Sequence, residues 1–92
     1  MVELKKLRAE IDEVDERILR LIVSRVKVCE AIGFAKKRQG LPVKDVAREE
    51  EVYKRISLLA SKLGLDPLRV EAVYREIVNM CSSVQESKEK SE

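Results

Sequence analysis

Hydrophobic residues fall at Leu4, Leu7, Ile11, Val14, Ile18 and Leu21, then at Val28 and Ile32, in alternating steps of three and four with one gap. Such steps recur on one face of a helix, and over about four repeats they form a heptad seam. Glu13 with Arg17, and Glu16 with Arg20, add pairs four residues apart with the acid first, the favourable order on an exposed helical face. No proline or cap-like break appears before Gln39-Gly40. The pattern therefore predicts a first helix over about residues 3–38, roughly 50 Å long at 1.5 Å per residue. Gly40-Leu41-Pro42 ends it. Asp45 then stands as an N-cap or first-turn acid for a second helix, whose stripe is Val52, Ile56, Leu59 and Leu63. Gly64 closes that helix, and Asp66-Pro67 reads as an N-cap followed by proline at the first helical position. A third helix carries Val70, Val73, Tyr74, Ile77, Val78, Cys81 and Val84. Residues 87–92, SKEKSE, read as a polar, disordered tail after a domain spanning residues 1–86.

Three helices, one nearly twice as long as the others, predict an all-α fold. Two helices of roughly 30 Å cannot cover the seam of the long one within a single chain. An uncovered stripe holding Leu4, Leu7, Ile11 and Val14 is a partner surface. The economical solution is an intertwined homodimer, each long helix lying beside its twin and the twin's short helices. The alternative is a monomeric coiled hairpin frayed at its N-terminus.

Composition supports this and narrows the chemistry. Ninety-two residues make one domain with a modest core, which a partner subunit would extend. A net charge of +2 from 19 cations and 17 acids gives no polyanion-binding excess. Aromatics for stacking bases are limited to Phe34, Tyr53 and Tyr74, and no helix-turn-helix pattern emerges, so nucleic acid is not the expected partner. The chain has no histidine, the commonest general base and metal ligand. Cys29 and Cys81 lack CxxC spacing and read as small buried hydrophobes in a reducing compartment, so no metal site is expected. MVELKKLRAE has no apolar core of a signal peptide, and no run approaches 18 apolar residues. The expectation is a soluble, cytoplasmic protein with no membrane partner.

Polar residues interrupt the stripes. The heptad position after Leu21 is Arg25, and an arginine facing a seam needs a counter-charge or an incoming anion. Lys36, eleven residues on, lies on nearly the same face. The second helix's stripe runs backwards from Val52 through Glu49 and Arg48 to Asp45, and the third runs forward from Ile77 through Cys81 to Gln85. One reading is a structural salt-bridge cluster in which Asp45 and Glu49 satisfy Arg25 and Arg48. The other is an anion-binding site, since cations outnumber acids within the set. Arg8 stands 17 residues before Arg25, roughly 25 Å along one helix, so it can join such a site only from a second, antiparallel chain. Lys37 and Arg38 read as solvated surface, and Ser82 and Ser83 as pointing elsewhere.

The segment LRAEIDEVDERILRLIVSR, then Gly33 and AKKRQGLPVKDVAREEEV, resembles the all-helical chorismate mutases. The shared pattern is L-R-x-x-I-D-x-x-D, a seam arginine, then K-x(5)-P-V-x-D-x-x-R-E, and the match runs from about Leu4 to Gln85. The resemblance implies an intertwined three-helix homodimer, free-standing and without a cofactor, that converts chorismate to prephenate in phenylalanine and tyrosine biosynthesis. Each of two sites would be built mostly from one chain, with Arg8 reaching in from the other. Arg25, Lys36, Asp45, Arg48, Glu49, Cys81 and Gln85 fall on the family's site positions; at Cys81 the family often has a small hydroxyl residue. By resemblance, Arg8 and Arg25 clamp carboxylates, Arg48 builds the cationic wall, and Lys36 and Gln85 donate to the ether oxygen. Glu49, with Asp45 nearby, orients the ring hydroxyl. Two competing functions are isochorismate–pyruvate lyase on the same fold and a non-enzymatic helical dimerisation module.

Overall fold

The computed structural model of the chain describes the backbone of residues 2–90 and the side chains of residues 3–85. Three helices follow one another: α1 over Val2–Arg38, α2 over Val46–Lys62 and α3 over Pro67–Lys90. No strand occurs among the described residues. The backbone of α3 continues through residues 87–90, part of the segment read as a tail, while Ser91 and Glu92 lie outside the described residues.

Local chemistry sets the helix ends. Gly40 has φ 68° and Gly64 has φ 78°, left-handed conformations that favour glycine. At the first, Leu41 N–H donates to the Lys36 carbonyl at 2.8 Å and Gly40 N–H to Lys37 at 3.1 Å. At the second, Leu65 donates to Ala60 at 2.8 Å and Gly64 to Ser61 at 3.1 Å. Both are Schellman closures, which satisfy carbonyls that a helix end would otherwise leave open. The Asp45 carboxylate accepts the Arg48 backbone N–H at 3.0 Å and caps α2. Asp66 accepts the Leu68 N–H at 3.1 Å ahead of α3.

α3 packs along both α1 and α2, which do not pack on each other. Val52, Tyr53 and Ile56 of α2 and Val78 of α3 form the core, flanked by Val70 and Tyr74. Arg75 closes its outer edge, lying 4.3 Å over the Tyr53 ring and donating twice to Glu71, at 3.2 and 3.0 Å. The chain is long and flat, 58 × 28 × 14 Å, because α1 extends well beyond its neighbours.

Two stripes differ from the sequence expectation. Toward α3, α1 presents Arg25, which reaches Cys81, and Gly33, which lies against Gln85, and Cys29 beside them is buried, whereas Leu21, Val28 and Ile32 of the seam are exposed. Arg25 thus keeps the spacing of the seam but turns to α3. Leu59 and Leu63 of α2 and Val73 of α3 are also exposed, and Tyr53 and Ala60 are buried in place of the two leucines. The reason is that α2 meets only α3, so only the 52–53–56–60 face is covered. The seam from Leu4 to Leu21 stands clear of the rest of the chain along its whole length.

Candidate active site

Because α1 and α2 both pack on α3 but not on each other, a cleft opens between them. Its volume is about 400 Å³, within the usual range of small-molecule sites. α1 contributes Arg25, Val28, Cys29, Ile32 and Lys36; the connection to α2 contributes Val43 and Asp45. Arg48, Glu49, Val52 and Arg55 come from α2, and Val78, Cys81, Ser82 and Gln85 from α3. Arg25, Lys36, Asp45, Arg48, Glu49, Cys81 and Gln85 are therefore brought together, as the broken stripes suggested. Arg8 is not: it sits on the solitary part of α1, away from the cleft.

Lys36 is held by the end of its own helix. Its carbonyl takes part in the Schellman closure, and its Nζ donates to the Val43 carbonyl at 2.7 Å. That leaves donor capacity on the ammonium and ties the connection to the cleft. The Arg25 guanidinium reaches the sulfurs of Cys81 and Cys29 and lies 5.9 Å from the Tyr74 ring centre. Among the described residues neither Arg25 nor Lys36 has a carboxylate partner. The Arg48 guanidinium, with a side chain 60% exposed, makes a loose pair with Glu51 at 3.7 Å. Glu49 pairs with Lys44 at 3.3 Å.

The salt-bridge cluster is thus not formed: Asp45 caps the helix, Glu49 turns to Lys44, and the cations of the cleft stay open. Four cations, Arg25, Lys36, Arg48 and Arg55, face two carboxylates there. Uncompensated positive charge on low-dielectric walls is suited to an anion.

Gln85 is buried to 8% exposure, the only buried polar side chain among the described residues. It lies against Gly33, where an added Cβ would stand 3.3 Å from Gln85 Cγ and 3.4 Å from its Cα. Glycine is thus what lets α3 approach α1 at this level. Burial first, and then the neighbouring Cys81 thiol, pushes the Cys29 thiol up to about 11, so it stays neutral at ordinary pH.

Several lining residues escaped the sequence reading. Arg55 stands seven residues after Arg48, on the same face of α2, and that spacing was the available signal. Ser82 lines the cleft rather than pointing away, and Lys37 is half-buried rather than solvated. Among the described residues, no group of three or more His, Cys, Asp or Glu side chains is placed to hold a metal ion, and no helix is long and apolar enough to cross a membrane.

Residues 7–86 match the family model for chorismate mutase type II. The chain is 40% identical to a bifunctional chorismate mutase/prephenate dehydratase of Aquifex aeolicus, over 92% of its own length and 24% of that relative. It is 36% identical to a chorismate mutase of Methanocaldococcus jannaschii, over 72% of its own length and 68% of the relative. It therefore spans about a quarter of the first and about two thirds of the second. A solved structure of a conserved hypothetical protein from Pyrococcus furiosus superposes with a TM-score of 0.73 at 34% identity, covering 92% of this chain and 97% of that one.

Proposed function

Because the chain belongs to the chorismate mutase type II family, we propose that the cleft binds chorismate and catalyses its rearrangement to prephenate, on the route to phenylalanine and tyrosine. The observation that carries this reading is the convergence of Arg25 and Lys36, both without carboxylate partners among the described residues, with the buried Gln85 amide in one cleft.

The reaction asks for little more than those groups supply. A Claisen rearrangement breaks one C–O bond and forms one C–C bond within a single molecule. No proton moves and no nucleophile attacks, so a site without histidine is no handicap. The protein must hold a flexible dicarboxylate in its compact conformer. It must also stabilise the negative charge that grows on the ether oxygen as the C–O bond breaks. Arg25 clamps one carboxylate through its guanidinium fork, a geometry that lysine cannot reproduce. Arg48 adds to the cationic wall. Lys36 and Gln85 donate to the ether oxygen. Glu49, with Asp45 nearby, orients the ring hydroxyl.

One carboxylate still needs a partner, and a second copy of the chain supplies it. The exposed row from Leu4 to Leu21 supports a homodimer in which the long helices run antiparallel. Arg8 of one copy then reaches the cleft of the other. The free thiols of Cys29 and Cys81 suit a cytoplasmic setting.

Incubation with chorismate and, separately, with isochorismate tests this reading. The expected product is prephenate from chorismate, with no pyruvate from either substrate. Release of pyruvate from isochorismate without prephenate formation would make the protein a lyase instead.

Gly33→Ala separates fold from catalysis. Alanine favours the helix by about 1 kcal/mol over glycine, which offsets part of the crowding at Gln85. α3 must nevertheless yield by a few tenths of an ångström. The expected result is a melting temperature close to wild type with kcat lowered roughly tenfold, since small displacements of a donor are expensive. Both quantities are read from thermal denaturation and steady-state kinetics.

A further inference from the structure

Cys29 of α1 and Cys81 of α3 do more than fill space. Both are buried, at 7% and 4% exposure, both are free thiols, and both line the cleft. The Arg25 guanidinium reaches both of them. Its Nη1 donates to Cys81 Sγ at 2.8 Å and to Cys29 Sγ at 3.7 Å. One guanidinium nitrogen thus bridges the sulfurs of two helices, α1 and α3.

We propose that Cys29 and Cys81 are positioning residues whose paired sulfurs hold the Arg25 guanidinium in its working orientation before substrate arrives. The proposal rests on the chorismate mutase reading of the cleft. Its physical basis is the weakness of sulfur as an acceptor. A carboxylate here would fix the arginine more firmly, but it would neutralise the charge and compete with the substrate's own carboxylate. A neutral thiol sets the direction of the N–H bonds and leaves the positive charge for the incoming anion. Burial keeps Cys29 in that neutral form. An arginine held in place in advance loses less rotamer freedom when substrate binds, and the saving appears as affinity.

The test compares wild type with Cys29→Ala, Cys81→Ala, Cys29→Ser and Cys81→Ser by two readouts. The first is the nitrogen-15 NMR spectrum of the Arg25 side chain without ligand, which reports how freely the guanidinium rotates. The second is the division of any loss between KM and kcat. In the alanine variants the Arg25 signals should average as the group rotates freely. KM for chorismate should rise about tenfold with a smaller change in kcat, the pattern of lost ground-state and transition-state binding. A serine hydroxyl accepts the same N–H groups, so both serine variants should recover most of the order and of the affinity. Arg25 signals that stay as in wild type in the alanine variants would overturn the proposal. Serine variants that lose as much as the alanine ones would also overturn it, because the thiols would then serve packing alone. If an alanine variant does not fold, Cys29→Val and Cys81→Val, which fill the space without an acceptor, are read in the same way and should also free the Arg25 signals. The spectra decide the point too if the wild-type protein fails to convert chorismate, an outcome that would refute the mutase reading but not the positioning of Arg25.

Discussion

Lys36→Ala should lower turnover of chorismate by about 10²–10³, the usual loss when one donor aimed at developing charge is removed from a closed site. The ammonium is set by two features of the chain: the helix end that fixes its backbone and the Val43 carbonyl that takes one of its protons at 2.7 Å. Its remaining donors face the cleft, and no carboxylate among the described residues competes for them. The breaking C–O bond puts charge on the ether oxygen only as the reaction proceeds, so the loss should fall on kcat and not on KM alone. Helix content and assembly state should be unchanged by circular dichroism and sedimentation, because Lys36 contributes nothing to the core of Val52, Tyr53, Ile56 and Val78. A variant with normal turnover would remove Lys36 from the ether oxygen, whereas a wild-type dimer without turnover would point to a helical association module.

The second large effect is a change in pH dependence. Gln85→Glu should convert a nearly flat pH–rate profile into one that falls as pH rises. An amide donates a hydrogen bond at every ordinary pH, whereas a carboxyl donates only while protonated. The chain has no histidine, and the Cys29 thiol is pushed up to about 11, so neither imposes a titration near neutrality on the wild-type enzyme. In the variant, activity is present below the pKa of the new carboxyl and lost as pH passes through it. Burial of the position raises that pKa, and the neighbouring cations lower it, so the midpoint measures which influence prevails. The loss at alkaline pH should reach about 10² or more, since the donor is then replaced by a repelling charge. A Gln85→Glu profile that stays flat and active at alkaline pH would remove Gln85 from the ether oxygen.

The helix boundaries were legible because their causes are local. Gly40 and Gly64 supply the left-handed residues, Asp45 and Asp66 the caps, and Pro67 the first helical position. The cleft residues of α2 and α3 were legible as polar interruptions of apolar stripes. The face of α1 was harder to read, for a physical reason. That helix carries two adjoining rows: large aliphatics from Leu4 to Leu21, and Arg25, Cys29 and Gly33, turned toward α3 and the cleft. Periodicity weights bulk, so the aliphatic row dominated. The row packed within the chain is rich in small and polar residues because α3 must approach closely and a cleft must open there. Extending the seam through Arg25 led to the cleft, which Val28 and Ile32 of the seam also line. Leu59 and Leu63 misled for a related reason: a hydrophobic stripe announces that it can be buried, not that its own chain supplies the cover. Arg55 was hidden because nothing in its neighbourhood breaks an apolar pattern, although its spacing from Arg48 placed it on the same face.

In the proposed mechanism a cationic cleft built by one chain becomes a mutase when Arg8 of a second chain enters it. The decisive measurement mixes two inactive variants, Arg8→Ala and Arg25→Ala. Either variant alone should be nearly inactive toward chorismate, because each of its sites lacks one carboxylate clamp. After subunit exchange, half of the dimers should be mixed, and in each of those one site regains both arginines. Prephenate formation should then return to about one quarter of the wild-type rate. A mixture that remains as inactive as its parts after proven exchange would contradict the mechanism, and so would an Arg8→Ala protein that turns over chorismate as well as wild type.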